Sequence, residues 1–389
     1  MAISIVLADD HHIIREGLRV LLDAQANFSV IGEAADGRSF VSLAVFLFTG
    51  VAVMAWAAGG PPAVDSNLER LGMRLYNDKN LSYNGTQSCR NCHHHFAGFA
   101  DITNHVSPEV NMVSTGADGV SKGGRNAPSS AYAGFSPQLS DDSGQWVGGM
   151  FWDGRADGST LGDPLAEQAQ GPPLNPVEMN MPSKEAIIQV IRDSGYVNLW
   201  NRVFGAGSLN NVDAAYDNFG RAIAAYERSA DVTKFSSKYD TAIDEFTAAE
   251  TRGMALFDAN CASCHSTTAA FDAPAPLFTN YAYANIGVPN NPAVLSEADL
   301  GLGPVIDDPN QNGKFKVPTL RNIVMTAPYS HNGYFPTLLE MVEFINDRTG
   351  YAPDVDQNID YSEGSVGNLG LSAEEINDIV AFLATLTDE

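Results

Sequence analysis

Two five-residue stretches, Cys89-Arg90-Asn91-Cys92-His93 and Cys261-Ala262-Ser263-Cys264-His265, use all four cysteines of the chain. Cys-x-x-Cys-His is the attachment pattern of a c-type haem. Its two thiols can add to the vinyl groups along one porphyrin edge, and the next histidine reaches the iron from the proximal side. Four thiolates would also suit a structural zinc ion, but zinc gives no reason for a histidine directly after each pair. The pattern predicts two covalent haems c, with His93 and His265 as iron ligands, and no disulfide. It also predicts an exported protein, because this attachment is made outside the cytoplasm in bacteria.

A formal charge of -25 over 389 residues makes nucleic acid and anionic membrane surfaces poor partners. The same acidity could steer a basic redox protein, though solubility alone accounts for it.

The N-terminus joins two unlike segments. Residues 1–38 read as strand, helix, strand: Ile3 to Leu7, Ile13 to Leu22 and Phe28 to Glu33. Through Ala8-Asp9-Asp10-His11-His12, Arg15-Glu16-Gly17-Leu18 and Ile31-Gly32-Glu33-Ala34-Ala35-Asp36-Gly37 this piece resembles the start of a response-regulator receiver of the LuxR/NarL type. The phosphoacceptor strand never follows, and so short a piece cannot bury a core of its own. An inert, truncated receiver-like fragment is expected. Residues 39–60 carry no charge and end near Ala55-Trp56-Ala57 after Arg38. They read as a signal peptide or as a transmembrane anchor, and either places the rest of the chain beyond the membrane.

After this segment the chain repeats itself. Glu69-Arg70-Leu71-Gly72-Met73-Arg74-Leu75-Tyr76 matches Glu250-Thr251-Arg252-Gly253-Met254-Ala255-Leu256-Phe257, each a helix leading to a haem motif. Strand signals are few. The expected class is mainly α: two cytochrome c-like haem domains in tandem, at residues 65–235 and 236–389, with long irregular loops. Ser372 and Glu375 form a capping box for a last helix whose apolar face is Ile376, Ile379, Val380 and Leu383.

From about Asn67 onward the chain resembles the bacterial di-haem cytochrome c peroxidases and the related MauG-like oxidases. The motifs that carry the resemblance are Gly98-Phe99-Ala100-Asp101, Gly124-Arg125-Asn126-Ala127-Pro128, Phe151-Trp152-Asp153-Gly154-Arg155, Glu167-Gln168-Ala169, Gly171-Pro172, Glu178-Met179, Phe315 to Asn322, and Thr326 to Gly333, in that order around the two haem motifs.

The resemblance implies that the first haem handles peroxide and the second passes electrons. It implies Glu178 as the acid–base group for O–O cleavage, with Gln168 as its hydrogen-bonding neighbour, and Trp152 as an electron relay between the haems. A carboxyl beside an apolar haem face should hold its proton more tightly, which suits a proton shuttle. Asn126, with the backbone carbonyls of Thr326 and Pro328, matches a calcium site, and oxygen ligands suit that ion. Arg125 and Arg321 are expected to pair with haem propionates. His331 has a family position but no assigned role.

Two positions depart from the family pattern. Asp118 stands where the peroxidases carry a distal histidine that blocks the first haem, and His94, His95 and His105 do not occupy that place. Ile345 stands where the second haem takes a methionine or tyrosine ligand; Met341, one turn earlier, and Met325 are the nearest substitutes. The resemblance therefore implies an exported enzyme that reduces H2O2 with electrons from a small cytochrome c or copper protein, with a homodimer left open. A MauG-like oxidase acting on a partner protein and a di-haem electron carrier are the alternatives. Retention of Gln168 and Glu178 speaks against the carrier, and Asp118 leans toward the MauG-like reading.

Overall fold

The computed structural model describes residues 3–8, 28–34 and 66–389, which belong to two units, Met1–Pro62 and Ala63–Glu389. In the first unit β1 (Ile3–Ala8) pairs in parallel with β2 (Phe28–Ala34), Ile3 opposite Phe28 and Ala8 opposite Ala34, with a register shift after Ile5. The helix expected at Ile13 to Leu22 and the apolar segment 39–60 lie outside the described residues.

The second unit is built on two crossed helix pairs. Helix α1 (Asn67–Tyr76) starts at Ser66, whose hydroxyl accepts from the Glu69 N–H at 3.1 Å; such a cap answers one of the orphan donors of a first turn. The α2 turn (Cys89–Cys92) carries the first two cysteines. Helices α3 (Pro164–Ala169), α4 (Lys184–Asp193), α5 (Val197–Phe204) and α6 (Val212–Glu227) complete the first half. The second half contains α7 (Ala248–Asn260), α8 (Leu338–Asn346) and α9 (Ala373–Ala384).

The sequence repeat has a steric cause. In α1 a Cβ on Gly72 would lie 1.9 Å from the Ala222 carbonyl oxygen of α6. In α7 a Cβ on Gly253 would lie 1.9 Å from the Asp378 carbonyl oxygen of α9. Each half thus packs its leading helix against its closing helix at a glycine, because only a bare Cα lets the backbones come so close. Leu71, Leu75, Ile187, Trp200, Phe219 and Ile223 fill the core beneath the first crossing. Phe257, Phe278, Ile379, Phe382 and Leu383 fill the second. A fully buried side chain of this kind contributes about 1.5–3 kcal/mol, so the crossings are set by the cores and permitted by the glycines.

Strands in this unit are short: β3 (Ser140–Asp142) with β4 (Gln145–Val147), and β5 (Tyr283–Ala284) with β6 (Phe315–Lys316), both antiparallel. They join the halves. Val147 bridges Ala282, and the Tyr283 hydroxyl donates to the Gly148 carbonyl at 2.8 Å. Most of the remaining chain is irregular, so the fold is mainly α with long loops, and no helix among the described residues is long and apolar enough to cross a membrane.

Candidate functional site

Each haem motif lies on one tight turn that follows a leading helix. In the first half the Ser88 N–H donates to Asn91 Oδ1 at 3.0 Å, which closes the turn between the cysteines. The Tyr76 hydroxyl at the end of α1 donates to the His93 carbonyl at 2.9 Å and contacts the Ser130 hydroxyl at 3.0 Å. His93 Nδ1 faces the Phe99 carbonyl at 3.2 Å, and His265 Nδ1 faces the Phe278 carbonyl at 2.8 Å. An Nδ1–H held by a carbonyl fixes the tautomer and leaves Nε2 as the ligating atom. Burial also keeps both rings neutral: it lowers the His93 pKa and brings His265 down to about 4. These are the features an iron-ligating imidazole needs.

The thiols fit thioether attachment better than a thiolate cage. Burial pushes Cys92 and Cys261 up to about 12 and Cys89 further. Cys89 packs on the first core and Cys261 on the second. Among the described residues no group of three or more His, Cys, Asp or Glu is placed to hold a metal ion. The zinc alternative has no geometry here.

His265 lines an apolar cavity of about 300 Å³ together with Leu320, Ile323, Met341, Val342 and Ile345. Helix α8 thus presents Ile345 to the cavity, with the Met341 side chain one turn earlier on the same wall. Met325 is not on that wall; its Cβ packs near Gly98. Asp118 is exposed and turned into its own loop, accepting from the Val120 and Ser121 N–H groups at 2.9 and 2.8 Å. His94 and His95 stack with ring centroids 4.5 Å apart beside Arg90. His105 Nδ1 is buried without a partner among the described residues.

Glu178 lines a second cavity of about 290 Å³ with Phe151, Arg155, Glu167 and Asn175. Its negative charge reaches Cys89 and Cys92, which places it on the side of the first haem motif. Desolvation raises its pKa against the opposing effects of Arg155 and of the Asn175 amide. The expected hydrogen bond from Gln168 is replaced: Asn175 Nδ2 donates to Glu178 Oε1 at 2.9 Å. Asn175 sits three residues before Glu178 in the same loop, whereas Gln168 belongs to α3 and does not line this cavity.

The two arginines expected at propionates already have carboxylate partners. Arg321, fully buried, forks onto Asp240 at 2.8 and 2.9 Å and donates its Nε–H to the Pro276 carbonyl at 2.8 Å. This ion pair joins two segments of the second half and holds the guanidinium on the wall of the His265 cavity, where each terminal nitrogen keeps a further N–H. Arg125 binds Asp299 through two bonds of 2.7 Å and pairs with Asp153 at 2.6 Å. Trp152 Nε1–H donates to the Asn126 carbonyl at 2.9 Å and lines the His265 cavity. Asn126, Thr326 and Pro328 meet on that cavity wall, but the Asn126 amide nitrogen donates to the Pro328 carbonyl at 2.6 Å. An amide turned half a revolution would offer its oxygen there, so the residues fit an oxygen-ligated cation without requiring one.

Two groups near this wall lie in family motifs that assign them no role. Lys316 on β6 is half-buried, with its ammonium on the Gly149 carbonyl at 2.6 Å, and desolvation brings its pKa down to about 7 despite Asp153. His331 stacks on Phe315 at 3.6 Å, its Nε2 has no described partner, and burial lowers it to about 3.

Comparison with known proteins agrees with this architecture. Residues 66–248 match the family described as di-haem cytochrome c peroxidase, and residues 250–387 match cytochrome c. The chain is 38% identical to the methylamine utilization protein MauG of Paracoccus denitrificans over 87% of this chain and 94% of that protein. It is 31% identical to the cytochrome c peroxidase Ccp of Escherichia coli, over 83% of this chain and 58% of that protein. The solved di-haem peroxidase BthA of Burkholderia thailandensis superposes with a TM-score of 0.73 at 29% identity, covering 83% of this chain and 86% of that one. Two cytochrome c halves, each with its own Cys-x-x-Cys-His turn and a neutral, oriented histidine, therefore place this chain in the di-haem cytochrome c peroxidase and MauG family, as an oxidoreductase that binds two haems c and acts on peroxide.

Proposed function

We propose that the chain is a periplasmic di-haem peroxidase that reduces H2O2 to water with electrons from a small cytochrome c or copper protein. The carrying observation is Glu178, a largely desolvated carboxylate on a cavity wall beside the Cys89–His93 turn. Haem attached at that turn supplies an iron at which peroxide binds and is reduced. Glu178 then takes a proton from one oxygen of the substrate and returns it to the other. Asn175 holds one of its oxygens, which leaves the second for the substrate. Its raised pKa brings its proton affinity closer to neutral pH, where a shuttle works best. Asp118, engaged by its own loop, would not serve as a ligand to a haem held at the Cys89–His93 turn. Trp152, on the wall of the His265 cavity and tied to the backbone of Asn126, relays electrons between the halves. Asn126, Thr326 and Pro328 would hold a calcium ion that fixes this junction.

The MauG-like reading, oxidation of a partner protein, is favoured by one observation: 38% identity to MauG along nearly its whole length. Steady-state consumption of H2O2 with a reduced small cytochrome c as donor tests the peroxidase reading. Turnover that is lost about 10²–10⁴-fold in Glu178→Gln, with both haem spectra intact, supports it. Peroxide that oxidises the enzyme but draws no electrons from any such donor refutes it in favour of the MauG-like reading.

A further inference from the structure

We propose that Arg155 is a second catalytic residue of the peroxide site, whose guanidinium meets the oxygen atom that leaves as the O–O bond breaks. This rests on the peroxidase reading above. Arg155 and Glu178 line the same cavity. Glu167 also lines it but is occupied, since its carboxylate accepts from the Gly158, Thr160 and Leu161 N–H groups at 2.8, 2.8 and 2.6 Å. Arg155 is thus the one cation among the described residues of that wall.

Its placement is built rather than loose. The guanidinium carbon lies 3.7 Å above the centroid of the Phe151 ring. Phe151 has a left-handed backbone, φ 64°, and its ring is backed by Gly171, where a Cβ would stand 3.2 Å from it. NH1 donates to both oxygens of Asp153 at 3.0 and 2.9 Å. Nε and NH2 donate to no described residue, and the side chain is 45% exposed. A cation seated on an aromatic face, tied by one nitrogen and free at two, presents directed donors to the cavity. Asp153 does not depend on it, because Arg125 also pairs with Asp153 at 2.6 Å.

Reduction of H2O2 to two waters takes two electrons, here from the donor redox protein, and two protons. As the O–O bond breaks, its electron pair moves to the departing oxygen, and negative charge grows there until Glu178 delivers the proton. A fixed positive donor at that position stabilises the charge as it develops.

The test uses fluoride, an anion that binds ferric haem, and carbon monoxide, a neutral ligand of ferrous haem, each followed by absorption on the di-haem protein. A unit charge at this half-exposed wall should make fluoride bind about tenfold more weakly in Arg155→Gln, with carbon monoxide unchanged. Arg155→Lys should recover fluoride affinity to within about threefold of the parent, and kcat for H2O2 should fall more than KM rises in the Gln variant. Fluoride affinity that stays within about twofold in Arg155→Gln, or a parallel loss of carbon monoxide, overturns the proposal. So does failure of both Arg155→Gln and Arg155→Met to take up haem, which would make the residue structural. If fluoride weakens as expected while the parent reduces no peroxide, the anion contact stands, but the peroxidase reading and the catalytic role fall together.

Discussion

Glu227 allows a stability prediction with a calculable size. It ends α6, is 4% exposed, and its Oε2 is buried without a hydrogen-bond partner among the described residues. Arg228, next in sequence, is turned to Asp163 at 2.7 and 2.8 Å. Desolvation therefore dominates and pushes the Glu227 pKa from 4.5 up to about 8. Because the folded pKa lies above the unfolded one, the folded state holds the proton more tightly. Folding carries no penalty from this group below pH 4.5. The penalty grows as pH rises and is complete once pH passes about 8. At 1.36 kcal/mol per pKa unit the cost is about 2 kcal/mol near pH 6 and about 5 kcal/mol near pH 9. Glu227→Gln keeps the shape and cannot ionise. Relative to the parent, the variant should gain about 3 kcal/mol between those two pH values, read from urea unfolding of the di-haem protein. A parent and variant whose stabilities change in parallel with pH would show that Glu227 is solvated or paired, and the burial argument would be wrong.

Other outcomes follow from single contacts. Gly253→Ala should destabilise the second half by about 1–3 kcal/mol or more, because the new methyl meets the Asp378 carbonyl and the helices must separate; an unchanged melting temperature would contradict the close crossing. Cys89→Ala and Cys261→Ala should each remove one covalent haem, and a variant whose mass still shows two would refute the attachment sites. The fully oxidised protein should react with H2O2 without prior reduction, since Asp118 is held in its own loop; a resting spectrum with only low-spin haem would point instead to a ligand such as His105.

The haem turns were legible because their chemistry is local: two cysteines and a histidine within five residues need only one tight turn to reach the same porphyrin. The capping box at Ser372 and Glu375 was legible for the same reason; Ser372 N–H donates to Glu375 Oε2 at 2.8 Å, and Glu375 N–H to Ser372 Oγ at 3.4 Å. The repeated helix was visible as a pattern, and the structure adds its cause in Gly72 and Gly253, one crossing point in each half. Glu178 was reachable only through its motif, since an isolated loop glutamate carries no mark of the cavity it faces.

Partnerships across the chain were decided by tertiary structure alone. Arg321 meets Asp240 from 81 residues away and Arg125 meets Asp299 from 174, so neither guanidinium could be assigned from its own motif. Asn175 displaced Gln168 because a hydrogen bond is set by a few tenths of an ångström, not by a family spacing of ten residues. Lys316, Glu227 and His331 owe their shifted proton affinities to desolvation, which depends on what the rest of the fold packs over them. Sequence determined which atoms could bind haem; the folded chain determined which charges remained free to act beside it.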